Sequence, residues 1–248
     1  MRISELISIK DPKSPVAEAY RTLRTNIKFS SFDKKVQSIV ITSSGTGEGK
    51  STIAVNLAIV MAQSGSKTII IDCDQRRPNV HKLFGISNEV GLSNFIVGSI
   101  GLDEVIQKTE VENLHILPSG TRPPNPSELI SSNRMMEFVE ELKKKYDYII
   151  LDSPPVIPVT DAQLLANYAD GCLLVVSSGE VEKEAVIKAK DLLNKVNANI
   201  IGIVLNKLEV REKGYYGYYY HYYYGEDGSK VKKKCKNRKD TRSQSATV

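Results

Sequence analysis

The segment Ser44-Gly45-Thr46-Gly47-Glu48-Gly49-Lys50-Ser51 constrains this chain more than any other. It follows an apolar, β-branched run from Val36 to Thr42 and precedes a helix-length stretch from Ser51 to Gln63. Alternating glycines let a backbone curl so that successive N–H groups converge on one point, and a helix start behind them adds the positive end of its dipole. The spacing fits a phosphate-binding loop, except that Ser44 stands where the first glycine is usual. In such a loop Gly45, Thr46, Gly47, Glu48, Gly49, Lys50, Ser51 and Thr52 surround the phosphates. Lys50 would reach the β- and γ-phosphates, and the Ser51 hydroxyl would ligate Mg2+.

Short apolar runs alternate with amphipathic stretches along the next 170 or so positions. The runs are Val36–Thr42, Thr68–Ile71, Leu114–Leu117, Tyr148–Leu151, Cys172–Ser177 and Ile200–Leu205; the helical stretches are Ser51–Gln63, Arg134–Lys145, Asp161–Tyr168 and Glu182–Val196. This alternation predicts an α/β fold, a doubly wound, mostly parallel sheet with helices on both faces. Near-continuous Ile, Val and Leu suit strands covered on both sides. Pro15–Ser30 reads as a helix outside the sheet. The domain reading is an N-terminal oligomerisation segment, 1–35, a phosphate-loop domain, 36–210, and a tail, 211–248.

Two acidic sites follow apolar runs. Ile69-Ile70-Ile71 leads into Asp72-Cys73-Asp74-Gln75-Arg76, and Ile149-Ile150-Leu151 leads into Asp152-Ser153-Pro154-Pro155. In a doubly wound sheet ligands bind beyond the carboxyl ends of the strands, where these motifs and the glycine loop would gather. An i, i+2 pair in extended backbone points both carboxylates the same way, so Asp72 and Asp74 are expected to face one Mg-nucleotide. Asp152 matches the acid that acts on the metal through water. A single such aspartate is more often a turn or cap residue; the combination argues for a site.

The formal net charge of +5 belongs to the end of the chain. From Gly225 onward there are eight Lys/Arg against three acids, which leaves 26 groups of each sign elsewhere. Just before lie Tyr215, Tyr216, Tyr218, Tyr219, Tyr220, Tyr222, Tyr223 and Tyr224, eight of the twelve tyrosines within ten positions. Low complexity, glycine and charge predict a flexible tail. The basic run reads as a solvated tail or one drawn to anionic lipid, and no motif supports specific nucleic-acid binding. Cys73, Cys172 and Cys235, like His81, His115 and His221, are too scattered for disulfides or a zinc site. No apolar run approaches the roughly 18 residues of a membrane span, and no signal-peptide core opens the chain, so a cytoplasmic protein is expected.

Taken together, the loop, the apolar-D-x-D-x-R element ending at Arg76, the apolar-D-x-x-P element ending at Pro155 and the tyrosine cluster resemble the bacterial tyrosine kinases, which phosphorylate tyrosine with phosphate-loop machinery. The resemblance covers nearly the whole chain. The related partition and cell-division-site ATPases typically carry a lysine at the position of Gly45 and a D-P-Q continuation, which this chain lacks. Glu18-x-x-Arg21-x-x-Arg24 is similar to the family's oligomerisation element; the three side chains span about 120° of helix surface and can offer one polar stripe, although Glu and Arg at this spacing also form ordinary surface pairs. The segment from Pro118 to Glu128 looks like the family too.

The resemblance implies an ATP- and Mg2+-dependent protein-tyrosine kinase that autophosphorylates its tyrosine cluster, between subunits of a ring-like homo-oligomer, and regulates capsule or exopolysaccharide production. Lacking fused membrane helices, the chain looks like the split Gram-positive type. That type implies a transmembrane activator, a location at the inner face of the membrane, a cognate tyrosine phosphatase and protein substrates. A phenol of pKa about 10 is a poor nucleophile at neutral pH, so a carboxylate within reach would assist it. Asp72 is the base by analogy, with Asp74, Asp152 and Ser51 on the metal side; the division between Asp72 and Asp74 stays open. So does the role of Arg76, which either orients these acids, stabilises transferred charge or forms a structural ion pair. The alternative function is a membrane-acting ATPase switch, and a third is a nucleotide-holding scaffold.

Overall fold

The computed structural model describes residues 3–30 and 35–208. The tyrosine cluster and the basic run lie outside them. Strands β1 (Ser38–Ser43), β2 (Thr68–Asp72), β3 (Gln107–Lys108), β4 (Leu114–Leu117), β5 (Tyr148–Asp152), β6 (Gly171–Ser177) and β7 (Ile200–Asn206) form one sheet in the order β3-β4-β2-β5-β1-β6-β7. Every pairing is parallel except that of β3 with β4. The expected doubly wound sheet is therefore present. The short antiparallel edge β3 has no counterpart among the apolar runs, because two residues are too few to show a period.

The helices are α1 (Ile7–Lys10), α2 (Pro15–Ser30), α3 (Lys50–Gln63), α4 (Val80–Phe84), α5 (Leu92–Ile96), α6 (Leu102–Val105), α7 (Pro126–Ile130), α8 (Asn133–Lys143), α9 (Asp161–Tyr168) and α10 (Lys183–Lys195). Alternating strand residues face opposite layers. Ile39, Ile41, Ile70 and Ile150 pack with α2, α3 and α4, whereas Val40, Ile69, Ile71 and Leu151 pack with α8 and α9 on the other face. Sheet residues of β1 and β2 are wholly buried, as their unbroken β-branched sequences require.

α3 explains the most apolar stretch of the sequence. From Ile53 to Ala62 every residue is buried, because the helix lies between the sheet and the N-terminal helices. Asn56 is the polar exception, and its amide is used: Oδ1 accepts the Ser8 N–H at 3.1 Å and Nδ2 donates to the Thr52 carbonyl at 2.9 Å. α2 starts where the sequence places it, with Pro15 in its first turn and the Ser14 hydroxyl accepting the Ala17 N–H at 3.2 Å. Leu6, Tyr20 and Ile27 join the core around α3, so this N-terminal segment is built into the layer rather than appended to it. Among the described residues no helix is long and apolar enough to cross a membrane.

Candidate active site

The loop between β1 and α3 takes its shape from two glycines and one buried acid. Gly47 and Gly49 have φ of 79° and 94°, a left-handed backbone that glycine adopts without strain. The Glu48 side chain, 2% exposed, turns beneath the loop. It accepts the Ser44 hydroxyl at 2.6 Å, the Gly45 N–H and the Ser177 N–H at 3.3 Å. Ser44 thus supplies what the usual glycine cannot, a hydroxyl donor for a buried carboxylate. Glu48 and Gly45, expected among the nucleotide contacts, do not line the cleft; Glu48 holds the loop from within instead.

The cleft itself is a cavity of about 650 Å3 beyond the carboxyl ends of β1, β2 and β5. One wall is Thr46, Gly47 and Gly49 with Lys50, Ser51 and Thr52 at the start of α3. Asp74, Arg76, Arg77 and Asn79 form the facing wall, and the proline-rich turn after β5 closes the side. The three motifs named from sequence do converge, with Lys50 only 8% exposed.

Register sets the acids. Asp72 and Asp152 are direct cross-strand partners on β2 and β5, and both are fully buried. Among the described residues neither oxygen of Asp152 has a hydrogen-bond partner. Burial pushes its pKa up to about 7; the Ser51 hydroxyl and the Lys50 ammonium pull it down, and Asp74 pushes it up. The Ser51 hydroxyl is thus near enough to favour the charged form without completing a hydrogen bond. A buried carboxylate with no donor is costly, and a dication beside Ser51 would offset that cost. The residues present therefore fit Mg2+, held through Ser51 and Asp152 with Asp74 at hand.

Asp72 differs from expectation. Strand geometry ends at Asp72, so the two carboxylates do not point the same way: Asp74 lines the cleft and Asp72 does not. Asp72 Oδ2 accepts the N–H groups of Asn79 and Val80 at 3.0 and 2.9 Å, holding the start of α4, and Oδ1 accepts that of Asp74 at 3.2 Å. Burial, and then the charge of Asp152, hold its pKa well above the usual carboxylate range despite these donors.

Arg76 lines the cleft and forms a bidentate pair with Asp161, Nε to Oδ2 at 2.9 Å and Nη2 to Oδ1 at 3.1 Å. Of its three open roles the structural pair is the one present here. Asp161, in the first turn of α9, was not singled out in the sequence; an acid there looks like an ordinary helix start. Its side chain is 0% exposed against 34% for Arg76. Arg76→Ala is accordingly expected to lower stability by about 1–3 kcal/mol, because it leaves the Asp161 carboxylate without its partner at a wall of the cleft that water can reach. Asp161→Ala, which frees an arginine that can reach water, should cost less. Denaturant unfolding of both variants without nucleotide checks the order.

A further contact was invisible in the sequence. Asn206, the last residue of β7, donates Nδ2 to the Glu48 carbonyl at 2.9 Å. A Cβ on Gly49 would lie 2.1 Å from that nitrogen. Gly49→Ala should therefore destabilise the chain by about 2–4 kcal/mol, from the positive φ and the overlap together. Adding Asn206→Ala should return the overlap component, a coupling that a double-mutant cycle of unfolding free energies measures.

The N-terminal polar stripe is partly engaged within the chain. Arg21 pairs with Glu18 and donates to the Pro12 carbonyl at 2.6 Å, while Arg24 Nη1 donates to the Val60 carbonyl at 3.0 Å and so ties α2 to the end of α3.

A family model described as an AAA domain matches residues 36–207. The chain is 44% identical to the tyrosine-protein kinase YwqD of Bacillus subtilis, over 86% of this chain and 90% of that protein. It is 42% identical to the putative tyrosine-protein kinase CapB of Staphylococcus aureus, over 87% and 95%. Among solved structures the chimerical protein CapA2B2 superposes with a TM-score of 0.80 at 44% identity, over 83% of this chain and 90% of that one. The septum site-determining protein MinD of Pyrococcus horikoshii, solved with Mg-ADP, is more distant: TM-score 0.60 at 26% identity, over 71% and 72%.

Proposed function

The chain belongs to the bacterial tyrosine kinases of the capsule type, and from that premise we propose that it uses ATP and Mg2+ in the Lys50 cleft to phosphorylate the tyrosine cluster of a neighbouring copy. The protein is a protein-tyrosine kinase with a phosphate-loop fold. The observation that carries the finer reading is the buried Asp152 carboxylate, without a completed hydrogen bond among the described residues, beside Ser51 and Lys50 in a cleft of nucleotide size. Bound Mg2+ would neutralise charge on the β- and γ-phosphates. Lys50 meets the γ-phosphate end, and the amides of the glycine loop fix the phosphate chain. Ser51 and Asp152 hold the metal side. Asp74, the acid of its motif that lines the cleft, takes the phenol proton, whereas Asp72 positions the turn that carries Asp74. This reverses the division assigned by analogy.

Acceptor choice follows from burial. All four tyrosines of the folded body are buried or half-buried, and burial raises each pKa. Tyr146 bonds His115 at 2.7 Å, and Tyr168 donates to the Ile130 carbonyl at 3.1 Å. The eight tyrosines from Tyr215 to Tyr224 are the remaining acceptors. Glu18, Arg21 and Arg24 present the stripe through which copies assemble, so that one copy's tail stands at high effective concentration near another's cleft. Each phosphate brings about −1.5 to −2 charges, so several outweigh the tail's +5 and loosen the assembly. Size-exclusion profiles with and without ATP and Mg2+ test this; coinciding profiles despite heavy phosphorylation would refute it. The reading extends to a membrane activator that recruits the chain to the inner face of the membrane, an opposing phosphatase, and control of capsule production.

The competing ATPase switch is favoured only by the distant likeness to MinD. Labelled ATP with Mg2+ separates the readings: label retained on Tyr215–Tyr224 supports the proposal, and free phosphate alone overturns it in favour of the switch.

A further inference from the structure

We infer that Asn206 is a positioning residue for phosphate binding: it sets the direction in which the Gly49 N–H points. Peptide planarity carries the argument. The Glu48–Gly49 peptide is trans, since the described residues contain no cis bond, so its C=O and N–H point in opposite directions. The carbonyl is drawn toward Asn206 by the 2.9 Å bond from Nδ2. The Gly49 N–H, on the other side of that plane, is turned away from Asn206, and Gly49 lines the cleft.

Two features show that this orientation is built rather than incidental. Gly49 has φ of 94°, and its missing Cβ is the space the Asn206 amide occupies. Asn206 is itself fixed, because its own carbonyl accepts the Ser178 N–H at 2.8 Å at the end of β6. The residue that carries the carbonyl is held a second time through its side chain, where the Glu48 carboxylate accepts the Ser177 N–H at the end of β6. Glu48 is thus anchored by its carbonyl at the end of β7 and by its side chain at the end of β6, two strands that lie across β1 from the acid-bearing β2 and β5. Only an amide or another donor at position 206 can face a carbonyl; a carboxylate of the same shape would repel it.

This inference rests on the nucleotide reading above, and the test separates the two. Binding of Mg-ADP and of Mg-pyrophosphate to the full-length chain is measured by calorimetry for the wild type, Asn206→Asp and Asn206→Ala, with circular dichroism confirming the fold. Both variants should bind each ligand about tenfold or more weakly, the loss of one well-aligned charge-assisted hydrogen bond. The losses for ADP and pyrophosphate should be equal, because the affected amide meets phosphate and not the base. A merely structural role would lower the unfolding midpoint and leave both affinities unchanged, which overturns the inference. Weakened ADP binding with unchanged pyrophosphate binding overturns it as well, since Asn206 would then act on the nucleoside. If the wild type binds neither ligand, the nucleotide reading itself fails.

Discussion

Replacing Lys50 with Met should leave a folded chain that no longer labels tyrosine. Lys50 opens α3 at the mouth of the glycine loop and is 8% exposed, so its ammonium sits where water screens it little. A preorganised cation at the site of developing phosphoryl charge acts mainly in the transition state, and losing even one donor of that kind costs ~100- to 1,000-fold. Lysine adds a full charge, so the expected loss is about 1,000-fold or more. Methionine keeps the unbranched stem and a strong helix propensity, so the unfolding midpoint should move little. Labelled ATP with Mg2+ gives the rate, and thermal unfolding without nucleotide gives the control. Residual labelling above about a tenth of wild type would place the essential cation elsewhere.

The contrast between Lys50 and Asn206 shows which parts of the site a sequence can display. Lys50, Ser51 and the glycines form a local pattern whose meaning depends on neighbours within eight positions. The Asn206–Glu48 bond spans 158 positions and the Arg76–Asp161 pair spans 85. No local period marks either, because each is created by the order of strands in the sheet. The long helices and buried strands were legible for the same reason that the loop was. α8, for example, repeats its apolar residues at helical spacing and buries Met135, Phe138, Val139 and Leu142. The helices α4 to α7, of four or five residues each, are too short for a period to emerge. Asp72 was misplaced by a different route: the strand rule was extended beyond the last strand residue, where the chain had already turned toward α4.

Asp152→Asn should weaken the enzyme and strengthen the empty fold, with a pH dependence that separates the two effects. The ordinary value for this carboxyl is 3.8, and burial raises it to about 7 in the folded chain. Between those values the folded state keeps a proton that the unfolded state has lost. Its contribution to stability is therefore full below about pH 4, falls by about 1.4 kcal/mol for each pH unit crossed on the way to 7, and levels off above. Asparagine cannot ionise, so the variant should match the wild type near pH 4.5 and be more stable at pH 8, by an amount on the order of 2–4 kcal/mol. Removing the charge also lets Asp72, its cross-strand neighbour, ionise more readily, which acts in the same direction. Ligand binding runs the opposite way. Mg-ADP selects the ionised form, so wild-type affinity should climb from pH 6 to 8 with release of a proton, while the variant should bind weakly and without that slope. Phosphorylation should fall about 100-fold or more. Thermal unfolding across pH, with and without Mg-ADP, reads both arms at once. A variant less stable than the wild type at pH 8 without ligand would mean that Asp152 has a partner holding its charge in the folded chain, and the metal-side role drawn for it would go with that.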